Sequence, residues 1–157
     1  MSSITLEEAI GKTVDHIKHE LERRAWLGAL ELRNSSQIIL RGQRSGRRYK
    51  VPGTYRRQRD KTDGKMKNGR YYTASAPGEP PAVRTGTFRN SWQPKSRVLY
   101  GSYISRIESD ATTDNGSHNL GDILEHGTSR MAPRPHQDLI RQHAEERIVR
   151  LYDNPYT

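Results

Sequence analysis

Cysteine is absent from this 157-residue chain, and large apolar side chains are scarce. Leucine, isoleucine, valine and phenylalanine together number 27, with a single phenylalanine among them. The lack of cysteine excludes a disulfide framework and a thiolate metal site, and it favours synthesis in a reducing cytoplasm. No apolar run approaches the roughly 18 residues of a membrane span, and the chain does not start with a signal-peptide core. We therefore expect no membrane partner.

The shortage of apolar residues limits the size of the hydrophobic core. Those four residue types make up 27 of 157 residues, about 17%, whereas chains below roughly 20% with a high net charge are often disordered. Two interpretations follow: a partly disordered monomer, or a domain that completes its burial against neighbouring subunits. A strong helical periodicity near the N-terminus favours the second interpretation.

Motifs of enzyme active sites are also missing. The chain has no nucleophile elbow, no phosphate-binding Walker loop and no dinucleotide-binding glycine fingerprint. The spacing of His16, His19 and Glu20 could bring metal ligands together on a helix, but no further ligand can be identified, so they are read as a solvated face. We predict a non-enzymatic protein without a cofactor or a metal.

Positive charge is abundant and concentrated in one segment. Lysine and arginine number 27 against 18 acidic residues, and twelve of the 27 fall within residues 41–70, interleaved with tyrosines. Such a segment contacts either the phosphates and bases of a nucleic acid or an acidic neighbouring subunit, and both alternatives stay open. The candidate contact residues are Arg44, Arg47, Arg48, Lys50, Arg56, Arg57 and Arg59.

The N-terminal part of the chain predicts a long amphipathic helix. Apolar residues recur every three or four positions over residues 6–32, which places them on one helical face. Thr5 and Glu8 have the spacing of a capping box at its start. Gly11 and Gly28 each cost about 1 kcal/mol relative to alanine inside a helix, so one of them is expected at a kink or a close contact.

The remaining pattern predicts an α+β fold in a single domain, residues 1–157, with helices packed on a small antiparallel sheet and residues 41–70 as a basic hairpin or loop. Residues 34–36 are expected to end the first helix, and residues 37–40 to form a strand or the helix tail. Further predicted elements are strands at 48–55 and 69–74, a helical turn at 87–92, strands at 97–102 and 103–109, a short helix at 120–126 ended by Gly127 in the left-handed αL conformation, and a closing helix at 137–152.

Two motifs lie some forty residues apart. The first signature is SAPGEPPAVRTGTFRNS at positions 75–91, and the second signature is LEHGTSRMAPRP at positions 124–135. The prolines preset the backbone of residues 76–81, here called the strap, which lies either within the subunit or along a neighbour. In this order the two signatures resemble S-P-G-x-P-P-x-x-D/R-T-G-x-L-R-x-S and L-E-x-G-T-x-x-M-x-x-R-P of the neck and tail-component family of HK-type lambdoid siphophages.

This resemblance implies a structural virion protein of the phage neck, made in the host cytoplasm. Such proteins act in tail completion or head-to-tail joining and assemble as rings around the DNA channel, usually sixfold, with a twelvefold ring as the alternative. The implied partners are further copies of the chain, neighbouring portal, adaptor, stopper, tail-terminator or tail-tube proteins, and the genomic DNA in the channel. The hypothetical subunit-interface residues are Pro77, Gly78, Glu79, Pro80, Pro81, Arg84, Thr85, Arg89, Glu125, Gly127, Thr128, Arg130, Arg134 and Pro135.

Overall fold

A computed structural model describes residues 5–51, 58–59, 66–67, 69–113 and 115–156, with the backbone alone for the two isolated pairs. It has the predicted α+β class, with a long N-terminal helix, a C-terminal helix and small antiparallel sheets. The elements in chain order are α1 (Leu6–Ile39), β1 (Arg48–Lys50), β2 (Gln58–Arg59), β3 (Met66–Lys67), β4 (Tyr71–Thr73), α2 (Thr87–Asn90), β5 (Trp92–Leu99), β6 (Ser102–Ser109), α3 (Leu120–His126) and α4 (Gln137–Asp153).

The described strands pair as three antiparallel two-stranded ladders: β1 with β4, β2 with β3, and β5 with β6. The β5–β6 hairpin is the longest, and its register runs from Trp92 opposite Ser109 to Leu99 opposite Ser102. Tyr100 and Gly101 form its turn with φ angles of 49° and 76°. Two positive φ angles in a two-residue loop match the right-handed twist of the paired strands.

The core lies where the second half of α1 packs against the β5–β6 hairpin and α4. It is built largely from small residues: Ala25 and Ala29 of α1 and Ala144 of α4 are almost completely buried. A Cβ atom added at Gly28 would lie 2.6 Å from the Ser105 hydroxyl oxygen, so this glycine lets β6 approach the helix. The close contact predicted for one of the two helical glycines is therefore at Gly28.

A buried arginine fixes the C-terminal tail (residues 154–156) to the middle of α1. The Arg24 side chain is only 3% exposed. It donates to the Glu20 carboxylate at 2.9 Å and to backbone carbonyls beyond the end of α4, including those of Asn154 at 2.7 Å and Pro155 at 2.8 Å. Its guanidinium also lies 4.0 Å from the centre of the Tyr156 ring. No sequence pattern distinguished Arg24 from the adjacent Arg23, because only the folded contacts of the two arginines differ.

The predicted start of α1 is confirmed, and its predicted end is wrong. Thr5 and Glu8 form the reciprocal capping box. The helix continues through residues 34–36 to Ile39, so residues 37–39 are its tail and not a strand. Ser36 donates its hydroxyl to the carbonyl of Arg33, and the Ser35 hydroxyl lies 3.0 Å from Nδ1 of His143 on α4. Both serines are buried by packing against other elements, and tertiary contacts therefore outweigh their tendency to end a helix.

Several other predicted bounds need correction. The strands predicted at 97–102 and 103–109 are β5 and β6, which meet at a turn two residues earlier than predicted. The helical turn ends at Asn90, because Trp92 already belongs to β5. Of the predicted basic strands, residues 48–50 and 71–73 form the β1–β4 ladder, and beside it the Val51 amide donates to the Arg70 carbonyl at 2.8 Å. Positions 52–55 lie outside the described residues. Gly127 has a φ of 74° with a ψ of −169°, so it follows α3 with positive φ but not in the αL conformation.

Candidate subunit-interface surfaces

The two signatures lie side by side in the fold. The Arg134 guanidinium donates to the Ser75 carbonyl at 2.9 Å, and the Gly78 amide donates to the Pro133 carbonyl at 3.2 Å. The Arg134 amide in turn donates to the carbonyl of Leu124 at 2.7 Å. The beginning of the first signature and the end of the second are therefore joined into one surface, although Ser75 and Arg134 are 59 residues apart in the sequence.

The strap is bonded to its own subunit through Glu79. Its carboxylate accepts hydrogen bonds from the Ser45 hydroxyl at 2.6 Å, the Ser45 amide at 3.0 Å and the Ala76 amide at 2.9 Å. These bonds, with the one from the Ser45 hydroxyl contributing most, lower the pKa of Glu79 to about 2. Since a carboxylate with three donors has little capacity left for a neighbour, Glu79 holds the strap in shape.

Arg44 also stabilises the strap from within. Its guanidinium donates to the carbonyls of Pro80 at 2.6 Å, Pro81 at 3.1 Å and Ile39 at 2.9 Å. Arg44 was a candidate for contact with DNA or an acidic partner. In this subunit its side chain joins the end of α1 to the strap.

Glu125 of the second signature caps the closing helix. Its Oε2 accepts from the backbone amides of His136 at 2.9 Å and Gln137 at 3.2 Å, and it lies 2.8 Å from Nδ1 of His136. His136 is completely buried and contacts the rings of Phe88 and Trp92 edge to face. Because the first amides of a helix have no partner within the helix, this carboxylate fixes where α4 begins.

Gly127 is required because the backbone of the second signature folds back closely on itself at this residue. A Cβ atom at this position would lie 2.6 Å from the carbonyl oxygen of Met131 and 2.8 Å from the nitrogen of Pro133. Its positive φ adds strain for any other residue. The glycine therefore allows the chain to turn back after α3.

An open groove lies between the two signatures and the end of α1. Its volume is about 570 Å³, and it is here called the signature groove. Half-buried apolar side chains line it, together with the buried Leu40 directly after α1. Among the half-buried lining residues are Phe88, Leu120, Leu124 and Met131. Sequence patterns did not identify this groove, because its walls come from segments that are distant in the chain.

The edge of the signature groove carries arginines named as interface candidates. Arg84 and Thr85 are exposed, and Arg89 and Arg134 are half-buried; all four line the groove. Nε of Arg89 is buried and has no hydrogen-bond partner among the described residues. Five further interface candidates are exposed but do not line the groove, namely Pro77, Gly78, Thr128, Arg130 and Pro135.

The described part of the basic segment forms a second surface. Strands β1 and β4, with Arg47 before them, are here called the basic ladder. Arg48 lies 4.6 Å from the centre of the Tyr71 ring, and Tyr49 and Tyr71 are 44% and 46% exposed. Lys50 shares the Tyr71 ring at 5.7 Å. Of the other candidates, Arg56 and Arg57 lie outside the described residues, and Arg59 is described only as backbone of β2.

The third surface is the N-cap Thr5 with the first half of α1, residues 5–19 together, here called the arm. Every residue of the arm is exposed. Leu6 is 77% exposed, Ile10 55%, Val14 43% and Ile17 37%. The helical periodicity correctly predicted this apolar stripe, but the described residues of the subunit leave the stripe uncovered.

Within the described ranges, no three or more histidine and acidic side chains are grouped so that they could hold a metal ion. In the same part of the chain, no helix combines the length and the apolar character needed to cross a membrane. Comparison of the chain with protein-family models, curated proteins and solved structures finds no match. The family resemblance therefore rests on the two signatures.

Proposed function

We propose that this chain is a structural subunit of the neck of a tailed bacteriophage. Copies assemble as a ring, sixfold or alternatively twelvefold, at the head–tail junction and mediate tail completion or head-to-tail joining around the DNA channel. The observation that carries the proposal is the ordered pair of signatures, which resemble those of the neck family and whose residues lie together at the signature groove.

The distribution of apolar surface supports a subunit that is completed by neighbours. The core is small, while Leu6 on the arm and Tyr100 at the hairpin tip are 77% and 98% exposed. Stable soluble monomers rarely expose large contiguous apolar surfaces, and subunits of closed rings bury such surfaces on one another. These features also favour the second of the two interpretations of the apolar-poor composition.

The neighbours of this ring would be portal, adaptor, stopper, tail-terminator or tail-tube proteins, with the genome passing through its centre. Most of the basic ladder faces outward or toward an adjacent ring in this proposal, because strong attraction between a conduit and DNA would oppose sliding. No cofactor or metal takes part.

The proposal is tested in a phage or prophage that carries this gene. Deleting the gene should yield filled heads and complete tails that remain unjoined in electron micrographs of the lysate, and plaques should be lost. Supplying the full chain in trans should restore joined particles. Normal joined virions from the deletion would overturn the proposal.

A second candidate is nucleic-acid binding through residues 41–70, favoured by the exposed Tyr49 and Tyr71 beside cationic side chains. Exposed aromatic rings flanked by arginine suit base stacking and phosphate contact. This function predicts salt-dependent DNA binding by the free chain that is lost on replacing Arg47, Arg48, Arg56 and Arg57 with alanine. Unchanged DNA binding by that variant would exclude the basic segment as the binding surface.

A further inference from the structure

The arm is a helical segment that finds no partner among the described residues. It consists of fifteen exposed residues whose apolar stripe, Leu6, Ile10, Val14 and Ile17, projects into solvent. Isolated helices of about this length are only marginally stable in water, since most helical stability comes from packing an apolar face. Covering the stripe would therefore stabilise the arm as well as remove apolar surface from water.

The signature groove has the chemistry to receive such a stripe. Its lining combines Leu40, Phe88 and Leu124 with arginines at the edge. Amphipathic helices commonly bind by laying an apolar face into a groove of this kind. The flank of the stripe carries Glu7, and the groove offers the exposed Arg84 and the buried, unpartnered Nε of Arg89. A guanidinium forms charge-assisted and often bidentate hydrogen bonds with a carboxylate.

The arm and the signature groove of one copy cannot meet. Leu40, which lines the groove, follows α1 directly, and Ile10 lies thirty residues earlier on the same helix. At a rise of 1.5 Å per residue, the two are about 45 Å apart. The complementary surfaces are therefore at opposite ends of one long helix, and only a second copy can bring an arm to this groove.

We propose that the arm of each copy lies in the signature groove of the next copy, with the apolar stripe on the groove floor and Glu7 beside Arg84 and Arg89. Two different surfaces meet in this contact, so it repeats head to tail and closes as a ring when the rotation permits. The inference rests on the proposed function in that it names the contact that closes the neck ring.

Cross-linking of the full chain tests the contact, because the protein contains no natural cysteine. Ile10→Cys on the stripe is combined with Thr85→Cys at the exposed groove edge and treated with a short bis-maleimide. The matched control replaces Ile10→Cys with Lys12→Cys, since Lys12 is exposed on the opposite face of the arm. We expect a series of covalent multimers from the first pair and at least tenfold less from the control.

Two outcomes of this cross-linking experiment would contradict the proposed contact between the arm and the groove. Equal yields from the two pairs, or no multimers from either, would contradict the docking of the stripe in the groove. Dimers formed by Ile10→Cys alone would show that arms pair with each other instead.

A charge reversal gives an independent measurement of the same contact. Glu7→Arg should weaken self-association at least tenfold in sedimentation velocity, and adding Arg84→Glu should restore most of the loss. Additive losses in the double variant would contradict the pairing of these charges. The expected multimers together with normal head–tail joining in the deletion phage would support the contact but contradict the neck function. If the cross-link fails while heads and tails of the deletion phage remain unjoined, the contact is wrong and the neck function is supported.

Discussion

Replacing Glu125 with alanine tests whether the second signature stabilises the subunit itself. The Glu125 side chain is 15% exposed, and its carboxylate accepts the first two amide hydrogens of the α4 region, at His136 and Gln137. Without it, α4 has no side-chain cap, because His136 at the N-cap makes no such bond. We expect the variant to fold with a clearly lower free energy of unfolding.

The size of the loss follows from what Glu125→Ala removes. Loss of a helix N-cap costs about 1 kcal/mol, and hydrogen bonds to a charged group contribute about 1.5 to 3 kcal/mol each. The contributions overlap, since both amides donate to the same oxygen, so we expect about 2 to 4 kcal/mol in total. Glu125→Gln keeps one acceptor oxygen but exchanges the other for an NH2 group and loses the charge, and its cost should be about 1 kcal/mol. Both values are large against the 5 to 15 kcal/mol by which domains are typically stable.

Urea unfolding followed by tryptophan fluorescence measures this loss directly. Trp92 is buried with its ring 5.8 Å from that of His136, so it reports on the packing that Glu125 fixes. The exposed Trp26 is replaced by phenylalanine in every variant to leave one probe. Glu146→Ala is the matched control, because its ion pair with Arg150 is exposed on the surface of α4 and should contribute less than about 0.5 kcal/mol. Equal free energies of unfolding for Glu125→Ala and Glu146→Ala would refute the capping role.

Three further changes test other parts of the structure. Gly11→Ala should raise helix content in circular dichroism and increase the free energy of unfolding by up to about 1 kcal/mol. Gly28→Ala should lower the free energy of unfolding by about 1 to 3 kcal/mol, because its Cβ would meet a side chain of β6. A change of the same sign in both variants would contradict the close contact at Gly28. Arg24→Ala should speed amide exchange in the C-terminal tail at least tenfold, and Arg23→Ala, whose side chain is exposed, should leave it unchanged. The folded-state pKa of Glu79 is about 2, below the ordinary 4.5, so its ionised form adds stability that is fully present above pH 4.5 and lost as the pH falls through 2. The stability difference between wild type and Glu79→Gln should therefore shrink over that pH range, and a constant difference would show that charge has no part in it.

Local signals in the sequence predicted the helical elements well. The capping box at Thr5 and Glu8, the apolar periodicity of α1 and the glycine after α3 all act within a few residues, so their effects can be read without the fold. The exposed stripe of the arm shows the limit of that reading. Periodicity places Leu6 and Ile10 on one face, but only the structure reveals that the described part of the subunit leaves this face exposed.

Features that depend on distant contacts could not be predicted. Residues 34–36 have the composition of a helix end, yet Ser35 is buried against His143, more than a hundred residues later. The strap remained undecided between an internal connector and an inter-subunit contact, because nothing local indicates that Arg44 donates to its carbonyls. The signature groove combines Leu40 with residues of both signatures, and its walls adjoin only after the chain folds.

A cryo-electron microscopy reconstruction of the neck of purified virions would locate this chain in the particle. We expect a closed ring of this chain at the head–tail junction, with the arm of each copy in the signature groove of the next. A neck whose density is fully explained by other proteins, with this chain absent from the particle, would contradict it.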